Sequence, residues 1–269
     1  MKSLSIEDAL QWTQRFAARE WKLLLPVAFA FLALPPMTLG LLLPARIANA
    51  PMTPQALAPL LESAPWLMPT ELFVALITLV GGLAIVALAL VPRVSVREAL
   101  GLAFQRLLVF VVALILVTLF VVIVATVAAI PLQLARLAVL TQQAILFCIL
   151  LGLGFFLSIR LIALGPVVIA SRAGPIAVLR LAWELTAGAF WRLLGAALIY
   201  GIGGMVVVAA SAFALGTLFA LGARAAGLPD LGPVLYTIYL RLAGALFWTG
   251  FHVLVVALYR QLGGSIRGT

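Results

Sequence analysis

The chain has 269 residues, 65% of them hydrophobic and 9% charged, with a net charge of +9. Soluble domains carry roughly 25% charged residues, and water would leave this much apolar surface uncovered, so the composition excludes a water-soluble globular fold. The single Cys148 excludes an internal disulfide and reads as a packing residue in an apolar run.

Cutting the sequence where charges and prolines cluster leaves six apolar runs of about 18 to 28 residues, each long enough for a hydrocarbon core of about 30 Å. The expectation is one all-α, polytopic membrane domain over residues 1–269, with six transmembrane helices and amphipathic helices lying in the cytoplasmic interface.

In chain order, Ser5 is an N-cap with Glu7 and Asp8 in the first turn, where the helix dipole favours negative charge. Ile6, Leu10, Thr13 and Ala17 form a narrow apolar stripe against Gln11, Gln14, Arg15 and Arg19. This spacing predicts a first interfacial helix over residues 5–21, ending at Trp21-Lys22. No small-residue cleavage site follows a short apolar run, so the first span, residues 23–43, is expected to do the targeting. It contains Pro26 and Pro35-Pro36, which remove N–H donors and predict a kink or break. Residues 45–70 are rich in proline and small residues, with Thr53-Pro54 resembling a helix start and Trp66 at the outer interface.

The second span is expected over residues 71–91. Ser95 and Glu98 fit a capping box that opens a short interfacial helix before the third span, residues 107–130. After an outer turn over 131–143, the fourth span covers 144–169, with Arg160 in its inner half. Gly174-Pro175 is a favourable helix entry. Ile176, Leu179, Trp183, Ala187 and Phe190 then recur at helical spacing, predicting an interfacial helix over 175–190 that lies apolar side down. The fifth span, 193–221, carries small residues at Ala212, Gly216 and Ala220 that admit a close neighbour. The sixth, 234–259, carries Trp248 and His252 on one face.

With six spans and the N-terminus inside, Lys2, Arg15, Arg19, Lys22, Arg93, Arg97, Arg106, Arg172, Arg180, Arg192, Arg260 and Arg267 fall on the cytoplasmic side. Arg46, Arg136 and Arg224 fall outside, while Arg160 and Arg241 lie within or at the edges of spans. This asymmetry puts both termini in the cytoplasm and explains the basic charge without nucleic acid. Sliding the chain by 170 positions sets Ile6 on Ile176, Ala17 on Ala187 and Trp21-Lys22-Leu23-Leu24 on Trp191-Arg192-Leu193-Leu194. The residues 95–108 echo it less well, so an internal repeat of three helical hairpins is expected.

Arg160-Leu161, Pro166-Val167, Gly174-Pro175 and residues 183–192, WELTAGAFWR, form a block that resembles the bacterial membrane domain found in front of some glycerophosphoryl diester phosphodiesterases and in related stand-alone inner-membrane proteins of unknown activity. The resemblance implies an inner-membrane location and six spans. It does not imply phosphodiesterase activity, which in that family belongs to a separate soluble barrel domain, typically about 250 residues for such a fold. The family commonly has a glutamate five residues after the proline and an Arg-Ser pair before the tryptophan. This chain has Ser171 and Leu181-Ala182 there.

One histidine, one cysteine and eight scattered acids offer no convergent set for metal or acid–base chemistry, so no enzyme, cofactor or metal is expected. The candidate contacts to anionic lipid headgroups are Arg15, Arg19, Lys22, Arg160, Arg172, Arg180 and Arg192; the candidate intramembrane polar residues are His252 and Glu184. Two readings stand for Arg160: it binds an anionic headgroup, or it snorkels to the interface or pairs with Glu184. His252 is either a proton-relay residue or a histidine bonded to a neighbouring helix. Arg180 and Glu184 fit a solvated i,i+4 pair, and Trp12, Trp21, Trp183 and Trp191 fit interface anchors. Two functions follow. The first is a non-catalytic lipid-interacting scaffold or accessory subunit. The second is a transporter or flippase for a lipid or small amphiphile, which calls for a polar cavity at mid-depth near Pro35-Pro36, Arg160 and Pro166.

Overall fold

The computed structural model describes residues 5–42, 64–135 and 138–263. Lys2, Arg46, Arg136, Arg267, Thr53-Pro54 and the last residues of the basic tail lie outside them. The described chain is all-α: α1 (Ile6–Val27), a π-helical stretch (Ala28–Ala33), α2 (Leu34–Leu42), α3 (Leu67–Leu90), α4 (Val96–Leu134), α5 (Val139–Arg160), α6 (Leu164–Ala170), α7 (Pro175–Leu185), α8 (Phe190–Ala225) and α9 (Leu231–Gln261). Among the described residues, six helical rods are long and apolar enough to cross a membrane, and the chain is a multi-pass membrane protein.

α3 and α9 form the centre. Every residue from Val80 to Leu90 and from Val253 to Tyr259 is buried, which is how a helix apolar on all sides behaves when protein surrounds it. α1, the π-helical stretch and α2 pack on this pair, α4 and α6 cover α3, and α8 covers α9. α4, α5 and α8 leave most of their surface outward. In lipid, hydrophobicity does not choose between inner and outer faces, and small residues set the close contacts instead. A Cβ on Gly81 would lie 2.4 Å from Phe31 Cβ, one on Gly204 would lie 2.4 Å from the Phe247 ring, and one on Gly250 would meet Tyr200. The expected stripe on α8 works in this way: Gly216 faces the Tyr236 ring and Ala220 faces Gly232. Tyr200 also donates to the Phe247 carbonyl at 2.7 Å, and Tyr239 bonds Ser211.

One end of the bundle gathers the described beginning and end of the chain. The Ser5 amide donates to Gln261 Oε1 at 3.0 Å, and Ile6 lies against Gly195 near the start of α8. Arg260 Nη2 donates to the Ala89 and Leu90 carbonyls at 2.8 and 3.0 Å, joining the ends of α9 and α3. We call this the terminal face. Ser5 accepts from the Asp8 amide, as its N-cap role requires. The Ser95–Glu98 capping box also forms. Glu98 Oε2 accepts from the Ser95 amide and hydroxyl, both at 2.8 Å, and these bonds hold its carboxyl below the ordinary carboxylate range.

The structure moves several expected boundaries. The interfacial helix over 5–21 and the span over 23–43 are one 37-residue rod, with Trp21-Lys22 in mid-helix. Nothing in that stretch breaks a helix. Pro35-Pro36 do not break the rod either: the turns before them widen to π-helix, with the Leu34 amide bonded to the Phe29 carbonyl five residues back, and the chain continues to Leu42. α4 likewise runs unbroken over 39 residues and carries Pro131 inside its last turns. At about 1.5 Å per residue these rods reach roughly 55 to 60 Å, so each extends well beyond a hydrocarbon core of about 30 Å. Their basic residues, Arg15, Arg19 and Lys22 on α1 and Arg97 and Arg106 on α4, lie in their N-terminal halves, the halves that reach the terminal face.

The fourth span divides. α5 stops at Arg160, and after a turn α6 restarts at Leu164, because Pro166 is tolerated in a first helical turn but not in a helix interior. α7 ends at Leu185 rather than at residue 190, and Gly188 takes φ +78° in the turn before α8. The 170-residue shift sets Ala18 of the unbroken α1 on this glycine, so the two segments that the expected repeat pairs differ here, one straight and one jointed. Cys148 is exposed, not packed.

Gly81→Val should lower the thermal unfolding midpoint in detergent, at a cost of about 1–3 kcal/mol from overpacking against Phe31 and Leu32. Gly101→Ala, at a helix position with no heavy atom within 4 Å of the added Cβ, should hold or raise it.

Candidate functional site

The residues of the 183–192 block converge on Arg160. Arg160 ends α5, where a cation meets the negative end of the helix dipole. Its guanidinium carbon lies 4.2 Å from the centroid of the Trp183 ring on α7, a cation–π contact. Phe156, one turn earlier on α5, meets Trp183 edge-on at 5.8 Å and Phe190 at 5.4 Å, and Phe190 in turn meets Trp191 at 5.4 Å. Thr186 is fully buried and donates to the Arg160 carbonyl at 2.8 Å, with the Ala182 and Trp183 carbonyls close by at 3.0 and 3.1 Å. The orphan carbonyl at the end of α5 is thereby satisfied by the turn that starts α8. Arg160 Nε is buried without a hydrogen bond to a described residue, and its charge rests on the indole face.

Glu184 does not reach Arg160. It pairs with Arg180 at 2.8 Å on the exposed side of α7, the expected i,i+4 pair. The face that α7 turns to the protein is distinct from the stripe expected to face lipid. Val178 and Ala182 are fully buried with Thr186, four residues apart, while Ile176 is 74% exposed. Small side chains let α7 approach α4 and α6, and Leu179, Leu181 and Leu185 pack partly buried beside them.

The other basic candidates divide into two groups on the terminal face. Arg15, Arg19 and Lys22 follow one another along α1: Arg15 bonds Gln11 at 2.7 Å, Arg19 pairs with Glu20 at 2.9 Å, and Lys22 stands 6.0 Å from the Trp21 ring. Arg172, Arg180 and Arg192 are exposed around α7, beside Arg160. Trp21 and Trp191 are exposed as anchors should be. Trp12 is half-buried, stacks on Phe16 at 5.0 Å and lies under Arg260 at 4.8 Å. His252 lies over Gly82 of α3, where an added Cβ would come within 2.8 Å of Nε2. It makes no hydrogen bond to a described residue, so its place is fixed by fit to the glycine and not by a bond to a neighbouring helix.

The arrangement carries cations and aromatic faces near one end of the bundle, which is chemistry for holding anions at an interface. Sequence reasoning missed Thr186 and Phe156. A threonine in register with the small stripe Val178–Ala182 was the available signal. No family model matches the chain, and no curated protein or solved structure matches it.

Thr186→Val should cost about 1–3 kcal/mol in unfolding free energy, because it strips a buried carbonyl of its partner. A double-mutant cycle of Arg160→Met with Trp183→Leu should return a coupling of about 0.5–2 kcal/mol, and additivity would remove the cation–π contact from the account.

Proposed function

We propose that this chain is a non-catalytic integral protein of the bacterial inner membrane, multi-pass with both termini cytoplasmic, whose basic terminal face holds anionic lipid headgroups while the bundle scaffolds or stabilises a partner. The observation that carries the reading is the distribution of charge. Among the described residues, Arg15, Arg19, Lys22, Arg93, Arg97, Arg106, Arg160, Arg172, Arg180, Arg192 and Arg260 lie toward the terminal face, against Arg224 and Arg241 toward the other end. Basic residues favour the cytoplasmic side, and each contributes about 1 kcal/mol near an anionic surface. The family resemblance around residues 160–192 supports the inner-membrane assignment, and the scatter of the acids supports a non-catalytic role.

A transporter or flippase is the other reading. It calls for a polar cavity at mid-depth. The buried contacts of Pro166, the continuous helix through Pro35-Pro36 and the apolar packing of Val80–Leu90 with Val253–Tyr259 weigh toward the scaffold instead.

Reconstituted protein in which Arg15, Arg172, Arg180 and Arg192 are changed to Gln should lose affinity for vesicles containing phosphatidylglycerol by at least tenfold, with about 1 kcal/mol per residue at stake. Unchanged binding would contradict the reading. Reporter tags on the two chain ends should both report the cytoplasm.

A further inference from the structure

The sequence reading gave no role to Arg93 or Arg260. α3 ends at Leu90, and the chain passes through Val91-Pro92 to Arg93 before Ser95 caps α4. Arg93 takes φ +57°, the left-handed region that glycine adopts freely and a long side chain rarely does. A glycine would make this turn with less strain, so the arginine side chain is held there at a conformational cost. Beside it, Arg260 already spends Nη2 on the α3 carbonyls and stacks on Trp12.

These residues border a recess of about 540 Å³ between α1, the end of α3 and the end of α9. Its lining includes the cations Arg19, Arg93 and Arg260 and the apolar side chains Phe16, Leu23 and Leu88, with the Arg19 guanidinium 5.9 Å from the Phe16 ring. Glu20 is the one carboxylate among the described lining residues, and Arg19 pairs with it. Arg93 and Arg260 make no ion pair with a described residue, so the recess keeps an excess of positive charge among apolar side chains. Trp21 and Lys22 lie exposed on the same stretch of α1, and such residues favour the headgroup layer of a bilayer.

We propose that this recess is a discrete site for one phosphate-bearing amphiphile, its phosphate between Arg93, Arg19 and Arg260 and its glycerol and first chain carbons against Phe16, Leu23 and Leu88. The proposal rests on the anionic-lipid reading above and deepens it from a charged surface to a single occupied site. Arginine suits the role because its planar fork matches phosphate oxygens in pairs. The volume lies within the range of about 300–1,000 Å³ of small-molecule sites.

The test is native mass spectrometry of the full chain in detergent, titrated with dioleoyl phosphatidylglycerol, dioleoyl phosphatidylcholine and inorganic phosphate. Wild type should retain one phosphatidylglycerol in preference to phosphatidylcholine. Arg93→Gly should weaken that retention about fivefold, the loss of one cation near the anion, while its unfolding midpoint stays level or rises because the strained turn relaxes. Arg172→Gln with Arg180→Gln, away from the recess, should leave this first binding event unchanged. Should Arg93→Gly bind like wild type while the lipid preference persists, the recess is overturned and the general reading stands. Absence of any preference in wild type would overturn both. Displacement of the lipid by inorganic phosphate at equal concentration would overturn the amphiphile assignment, because the apolar side chains would then contribute nothing.

Discussion

The Arg260 guanidinium joins three elements at one end of the bundle. It donates to the last carbonyls of α3, extends from the last turn of α9 and carries the Trp12 ring of α1. Those carbonyls have no partners within their own helix, and the charge-assisted bonds from Arg260 satisfy them. The central pair α3 and α9 is thereby fixed at one end, and α1 is seated across it. The rest follows from that seat: Ala9 packs with Leu254 and Leu258, Ser5 reaches Gln261, and α1 continues past Phe16 and Leu24 to the π-helical turn beside Gly81.

A second joint of the same kind holds α5, α7 and α8. There the C-terminal carbonyl of α5 finds Thr186, and its cation finds Trp183. Both joints use an arginine at a helix end, an aromatic ring and a donor to a terminal carbonyl. They differ in what remains free. Arg160 rests on the Trp183 ring with its Nε buried, whereas the arginines around Arg260 line an open recess. A lipid-binding role for the terminal face therefore has two physically distinct parts, a diffuse basic surface around α7 and a bounded site under α1.

Hydropathy made the helix class and the number of crossings legible, because a run of apolar residues measures length directly. Caps at Ser5 and Ser95 were legible because a side-chain oxygen three residues before an amide is a local feature. What escaped was non-local. No breaker separates Trp21 from Leu23, so an interfacial helix and a span expected as two pieces are one rod. Pro35-Pro36 looked like a break because sequence shows the missing donors but not the π-helical turns that absorb them. The face by which α7 packs on the bundle had no reading in the sequence, because the small residues Val178, Ala182 and Thr186 that allow close approach give little hydropathy signal beside the exposed Ile176 and Trp183. Arg93 and Arg260, 167 positions apart, could not be associated before the fold brought α9 beside the end of α3.

The most direct test is hydrogen–deuterium exchange in lipid nanodiscs, reading the amides of residues 9–20 in wild type and in Arg260→Met. The account predicts slow exchange there in wild type and a marked acceleration in the variant, with the amides of Val80–Leu88 unaffected. Equal exchange in the two proteins, or exchange within seconds in wild type, would show that α1 is not held across the ends of α3 and α9.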